Sequence, residues 1–115
     1  MKSSGHDYLG RSTAKNSLLF WTSYFNTNVT FTEHFIVNGT DLGSAMTVGP
    51  SVPSNILAGV AKAAGKIFVG ATAATVSIAG GYIGGAGHSV WSPIYGLAAD
   101  NVFRMCFNFT FLQLD

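Results

Sequence analysis

The chain has 115 residues, of which 48% are apolar and only 10% charged, with a net charge of +1. That length allows at most one domain, and the small net charge excludes the basic footprint of a nucleic-acid or anionic-membrane surface. The single Cys106 excludes an internal disulfide and any multi-cysteine metal site. A free-standing soluble domain carries about 25% charged residues, so this composition fits either a membrane segment or a piece of a larger fold whose buried faces belong against absent parts.

Taken in order, Met1-Lys2-Ser3-Ser4-Gly5-His6 contains no apolar signal-peptide core. Localisation stays open, although the sequons Asn28-Val29-Thr30, Asn38-Gly39-Thr40 and Asn108-Phe109-Thr110 agree with a secreted parent protein. Residues 2–11 read as a turn. The apolar, aromatic run at 17–22 predicts a buried strand, residues 31–37 a second and residues 45–48 a third that ends at Gly49-Pro50. Ser51 or Ser54 as cap, Pro53 in a first turn, and Ile56, Leu57, Val60, Ala61 and Ala64 at helical spacing predict a helix stopped by Gly65. Residues 66–70 predict a strand and turn, residues 75–88 an irregular stretch, and residues 102–109 a last strand. The fold class is α+β, a mixed sheet with few helices. No repeat is present, and the regular strand–helix alternation of a doubly wound fold is missing.

No residue from 67 to 99 is Asp, Glu, Lys or Arg, yet five of the fourteen residues at 75–88 are glycine. Glycine costs conformational entropy and contributes no side-chain packing, so such a run suits backbone laid against something else. A large anionic cofactor whose phosphates take backbone N–H groups fits best. A membrane helix over residues 67–86 has the length, but its threonines, serine and glycines and its lack of flanking anchors weigh against it.

Few residues offer chemistry. His6 follows Ser3-Ser4-Gly5, where a turn exposes its imidazole beside a phosphate-binding backbone, and a neutral imidazole is a nucleophile toward an electrophilic cofactor carbon. An exposed N-terminal histidine with no role is the alternative. His88 suits a bond to a loop carbonyl. With His34, the histidines are too scattered to ligate a metal. No Gly-x-Ser-x-Gly elbow supports a serine hydrolase, Asp100-Asn101 suits a turn, and Trp21 and Trp91 suit the core.

Two separated motifs go further. Lys2-Ser3-Ser4-Gly5-His6-Asp7-Tyr8 resembles the Arg/Lys-Ser-Gly-Gly-His-Ser/Asp-Tyr motif of FAD-linked oxidases of the vanillyl-alcohol-oxidase/para-cresol-methylhydroxylase (PCMH) type, in particular the fungal berberine-bridge-enzyme-like branch. Residues 75–88, with Ser92-Pro93-Ile94-Tyr95-Gly96-Leu97-Ala98-Ala99-Asp100-Asn101-Val102, look like the second FAD signature of that branch. The resemblance implies that the backbone of Ser3, Ser4, Gly5 and His6 wraps the FAD pyrophosphate and that His6 bonds to the flavin 8α-methyl. It further implies flavin and ribityl contacts by Thr75, Val76, Gly80, Gly81, Gly84 and Gly85, and an adenosine-side contact near Val102.

The departures carry information as well. Many relatives hold a second covalent ligand, a cysteine, where this chain has Ala73 and Ala74, which leaves a single link through His6. Ser4 replaces a glycine. The resemblance runs over residues 1–103, a partial PCMH-type FAD-binding domain, and residues 104–115 read as a divergent tail. Nothing resembles the family's substrate domain or its catalytic residues. The expectation is an incomplete flavin-dependent oxidoreductase, inactive alone, with FAD as partner and neither nucleic acid nor membrane. A vestigial flavin-binding protein and a small glycine-rich membrane protein are the alternatives.

Overall fold

The computed structural model describes residues 1–25 and 27–106. Its sheet is built where β-branched and aromatic residues face one another. Strands β1 (Val29–Thr32) and β4 (Ala45–Val48) pair antiparallel, with Val29 opposite Val48 and Phe31 opposite Met46. Between them a hairpin of β2 (Ile36–Val37) and β3 (Thr40–Asp41) turns at Asn38-Gly39. His34 Nδ1 lies 2.7 Å from Asp41 Oδ2 beside this hairpin. The Gly43 N–H, and after it His34, hold the Asp41 carboxyl below its usual 3.8.

Helix α1 (Ser54–Ala63) lies against β1 and buries Leu57, fully enclosed, and Ala61. Leu57, Val52 and Ile78 form the centre of the core, with Val29, Met46, Val48, Phe68, Tyr82 and Ile83 packed around them. The expected helix therefore forms, but neither serine caps it. Ser54 sends both its N–H and its hydroxyl to the Val76 carbonyl, at 2.9 and 2.8 Å, and so ties the helix start to the glycine-rich stretch instead. A short helix α2 (Ser92–Tyr95), absent from the sequence reading, starts with Pro93 in its first turn.

The expected strands at 17–22 and 66–70 do not form. Residues 17–22 make only one parallel bridge, Lys2 to Trp21, before a 3-10 turn at Thr22–Tyr24. An apolar run becomes a strand only where a neighbour completes its ladder. Here Phe20 stacks on Phe25 at 5.1 Å and Trp21 meets Tyr24 edge-on at 5.3 Å, all of them partly exposed. Trp21 and Trp91, expected in the core, are 41% and 40% exposed. No strand occupies residues 102–106; residues 107–109, the Asn108 sequon and most of the 104–115 tail lie outside the described residues. Among the described residues no helix is long and apolar enough to cross a membrane.

The second motif closes on itself. Ala98 and Ala99 donate their N–H groups to the carbonyls of Gly87 and Ala86 at 2.9 and 3.0 Å, so residues 98–99 hold the end of the glycine-rich stretch. Gly87 has φ +74°, and a Cβ there would lie 2.6 Å from the Ala98 Cβ and 3.1 Å from the Tyr82 ring. Gly87→Ala is expected to destabilise the fold by roughly 1–3 kcal/mol through the left-handed backbone and the overlap, read from the urea midpoint.

Candidate functional site

Ser3, Ser4, Gly5 and His6 form the rim of a cleft of about 620 Å³ whose opposite wall is Val76, Ser77, Gly81 and Tyr82. The two walls come from chain segments far apart in sequence, and His6 joins them, its Nε2 2.8 Å from Thr75 Oγ1 across 69 residues. Ser4 Oγ accepts the Ser77 N–H at 3.1 Å. Gly80 lies directly behind the rim, where a Cβ would sit 3.2 Å from that of Ser3.

The rim is small for a physical reason. Gly5 has φ +87°, and a Cβ there would lie 2.5 Å from the Lys2 side chain. Lys2 is folded back over the Trp21 ring, its ammonium 4.7 Å from the ring centre, while Trp21 Nε1 donates to the Ser3 carbonyl at 2.8 Å. The indole thus clamps the rim from outside rather than filling the core.

Beneath the rim lies a group of hydroxyls. Ser3 Oγ donates to the Pro50 carbonyl at 2.9 Å and lies 3.3 Å from Ser51 Oγ. Ser51 Oγ is 2.8 Å from Thr22 Oγ1, and the Ser51 carbonyl accepts Ser77 Oγ at 3.1 Å. Thr22, Ser51 and Ser77 are all buried. On the far wall Tyr82 donates its phenol to the His88 carbonyl at 3.1 Å, and burial pushes that phenol above its usual 10.0 and keeps it a donor. His88 thus enters the fold through its own carbonyl, with an exposed side chain.

The predicted site residues therefore divide. Ser3, Ser4, Gly5, His6, Val76 and Gly81 line the cleft, Thr75 meets it through His6, and Gly80 backs it. Gly84 and Gly85 lie on the turn beyond, with Gly85 donating to the Gly81 carbonyl at 2.9 Å. Val102 sits after the 3-10 turn Ala98–Asn101, its N–H directed to the Ala99 carbonyl at 3.3 Å. Asp100 and Asn101 form the expected turn: Asp100 accepts the Leu97 N–H, and Asn101 donates to the carbonyls of Tyr95 and Leu97. Lys2, Trp21, Thr22 and Ser51 belong to the site without having been singled out for it, because each acts through a partner distant in sequence.

The cleft has the donor set for a phosphate-bearing cofactor. The backbone N–H groups of Ser3, Ser4, Gly5 and His6 meet no acceptor among the described residues, and Lys2 supplies positive charge at its edge, the Arg11 charge there being offset by Asp7. Among the described residues no three His, Cys, Asp or Glu side chains gather. Arg11 is paired with Asp7 at 3.2 Å. The guanidinium, helped by the backbone N–H groups of Arg11 and Leu9, holds the Asp7 carboxyl below 3.8. A lowered carboxylate pKa stabilises the turn above the unfolded value, and that contribution is lost as pH falls through the folded value. Arg11→Ala is expected to return Asp7 toward 3.8 in a carbon-detected NMR titration.

No protein-family model matches the chain. Curated relatives do. The chain is 39% identical over 104 residues to the bifunctional decalin synthase calF of Penicillium decumbens, matching 90% of this chain and 18% of that protein. It is 42% identical over 107 residues to the VAO-type flavoprotein oxidase VAO615 of Thermothelomyces thermophilus, again 90% and 18%. The crystal structure of the VAO-type flavoprotein MtVAO615 from Myceliophthora thermophila C1 superposes with a TM-score of 0.78 at 38% identity, over 86% of this chain and 18% of that one. The homologues of this chain are fungal FAD-linked oxidoreductases. The chain spans about a fifth of the length of these relatives, and its α+β fold of small antiparallel sheets and few helices matches a fragment of the VAO-type flavoprotein.

Proposed function

We propose that this chain is the FAD-binding portion of a flavin-dependent oxidoreductase of the PCMH type, berberine-bridge-enzyme-like branch, and that His6 carries the flavin covalently. The observation that carries this reading is the convergence of residues 3–6 and 75–81 on one cleft, joined by His6 and Thr75. The rim amides take the pyrophosphate, with the charge of Lys2 nearby. Thr75, Val76, Gly80 and Gly81 approach the flavin side, Gly84 and Gly85 continue that wall, and Val102 stands toward the adenosine.

FAD, when bound, supplies hydride acceptance from a C–H bond of a small organic substrate and reoxidation by oxygen. What this chain contributes is placement. Small residues admit the cofactor, the Thr75 hydroxyl orients the imidazole, and Trp21 closes the outer side of the rim. A covalent link, if His6 held the flavin in this way, would exchange one methyl C–H of the flavin and the imidazole N–H for an N–C bond, with oxygen taking the two electrons and two protons as peroxide.

The experiment is incubation of the purified chain with FAD, followed by denaturation and peptide mass spectrometry. A peptide containing His6 with the mass of FAD added supports the reading. A chain that stays colourless after gel filtration overturns it.

A further inference from the structure

We infer that Ser51 and Thr22 are positioning residues that set the spacing of the two cleft walls. The inference rests on the flavin reading for its consequence, and on the hydrogen bonds alone for its geometry.

Ser51 bonds in two directions. Its hydroxyl meets Thr22 Oγ1 at 2.8 Å and Ser3 Oγ at 3.3 Å, on the side of the rim; its carbonyl accepts Ser77 Oγ at 3.1 Å, on the side of the far wall. Ser77 then returns its N–H to Ser4 Oγ at 3.1 Å. Ser51, Ser77, Ser4 and Ser3 thus form a closed circuit in which every link is a hydrogen bond or a peptide bond. Thr22 anchors that circuit from outside, because its N–H donates to the Lys2 carbonyl at 2.9 Å, one residue before the rim. Ser51 is 8% exposed, Thr22 6% and Ser77 4%, so water does not readily replace a lost partner, and Thr22 Oγ1 also donates to the Lys2 carbonyl at 3.3 Å. None of these hydroxyls lies among the residues assigned to the cofactor, and none of the three stands in for a core side chain. Their effect is on where Ser3 and His6 stand relative to Thr75.

Removing the Ser51 hydroxyl cuts the link between Thr22 and the rim, while Ser3 keeps its bond to the Pro50 carbonyl and the far wall stays attached through the Ser51 backbone. Thr22→Val removes the same bond from its other end, together with the Thr22 hydroxyl's bond to the Lys2 carbonyl, with little change in volume, and Thr22→Ser keeps both. Two measurements test the inference on the full chain. In the flavin-free protein, an NMR cross-peak between the His6 ring and the Thr75 methyl is expected in the unmodified chain and in Thr22→Ser, and is expected to vanish in Ser51→Ala and Thr22→Val while the α1 amide signals persist. In a His6→Ala background, where FAD binds reversibly, Ser51→Ala or Thr22→Val is expected to raise the FAD dissociation constant about five- to tenfold. Thr22→Ser stays within about twofold, and the double variant is less than additive because the two single variants share the Ser51–Thr22 bond.

A cross-peak that survives Ser51→Ala and Thr22→Val, or that is missing from the unmodified chain, overturns the inference. So does a lost cross-peak with unchanged FAD affinity. If the unmodified chain binds no FAD, the flavin reading fails, and the cross-peak comparison alone still decides the spacing role. Should Ser51→Ala unfold the chain, the comparison of Thr22→Val with Thr22→Ser decides it.

Discussion

His6→Ala is expected to abolish covalent flavin completely. After acid precipitation of the FAD-loaded protein, all of the yellow colour should pass to the supernatant, whereas the unmodified chain keeps it in the pellet. In the flavin reading the imidazole nitrogen is the nucleophile, and the structure sets it 2.8 Å from Thr75 Oγ1 on an exposed rim where a large cofactor can reach it. Ala73 and Ala74, which precede Thr75, carry no thiol. Reversible FAD binding should survive, because the rim amides of residues 3–6 belong to the backbone and remain after the substitution. Flavin retained in the pellet of His6→Ala would place the link elsewhere.

The second large effect is on stability. Leu57→Ala is expected to cost about 2–5 kcal/mol, the range for emptying a fully enclosed leucine site, measured from the shift of the denaturant midpoint. Leu57 is fully enclosed, the most buried apolar side chain among the described residues. Small domains hold about 5–15 kcal/mol in total, so the loss removes a large share, and the variant should melt far below the unmodified chain. Ile56, the adjacent apolar residue on α1, is 49% exposed. Ile56→Ala therefore serves as the comparison, with a cost well under that of Leu57→Ala.

How much of this was legible in the sequence depends on the range of the interaction that decides each element. Helix α1 follows from spacing within ten residues and was read correctly, Gly65 included. Strand β4 follows from a local β-branched run, and it too was read. Residues 17–22 carry an equally strong local signal, yet their partner is Lys2 alone, and no local pattern reveals that a ladder lacks its other rail. Trp21 was assigned to the core because aromatic residues usually are buried; its indole N–H instead found the Ser3 carbonyl. The two motifs announced the cleft because their residue types are unusual enough to stand out. Ser51 and Thr22 did not, since a serine after proline and a threonine after tryptophan look ordinary until folding brings them to 2.8 Å of one another. Ser54 misled for the same reason: it had the chemistry of a cap, and a more distant carbonyl took it.

The 69-residue interval between His6 and Thr75 has a consequence for the order in which this protein assembles. Bringing such distant segments together carries a loop-closure entropy that grows with the logarithm of the interval, and non-local contacts of this kind form late. The hairpin of β2 and β3 and the helix α1 are local and can form early; the cleft must wait for both. A ribosome-bound chain that has released only its first seventy residues holds His6 but no opposing wall. In the flavin reading, cofactor capture therefore follows closure of the cleft, and a bound flavin would brace a loop of 69 residues.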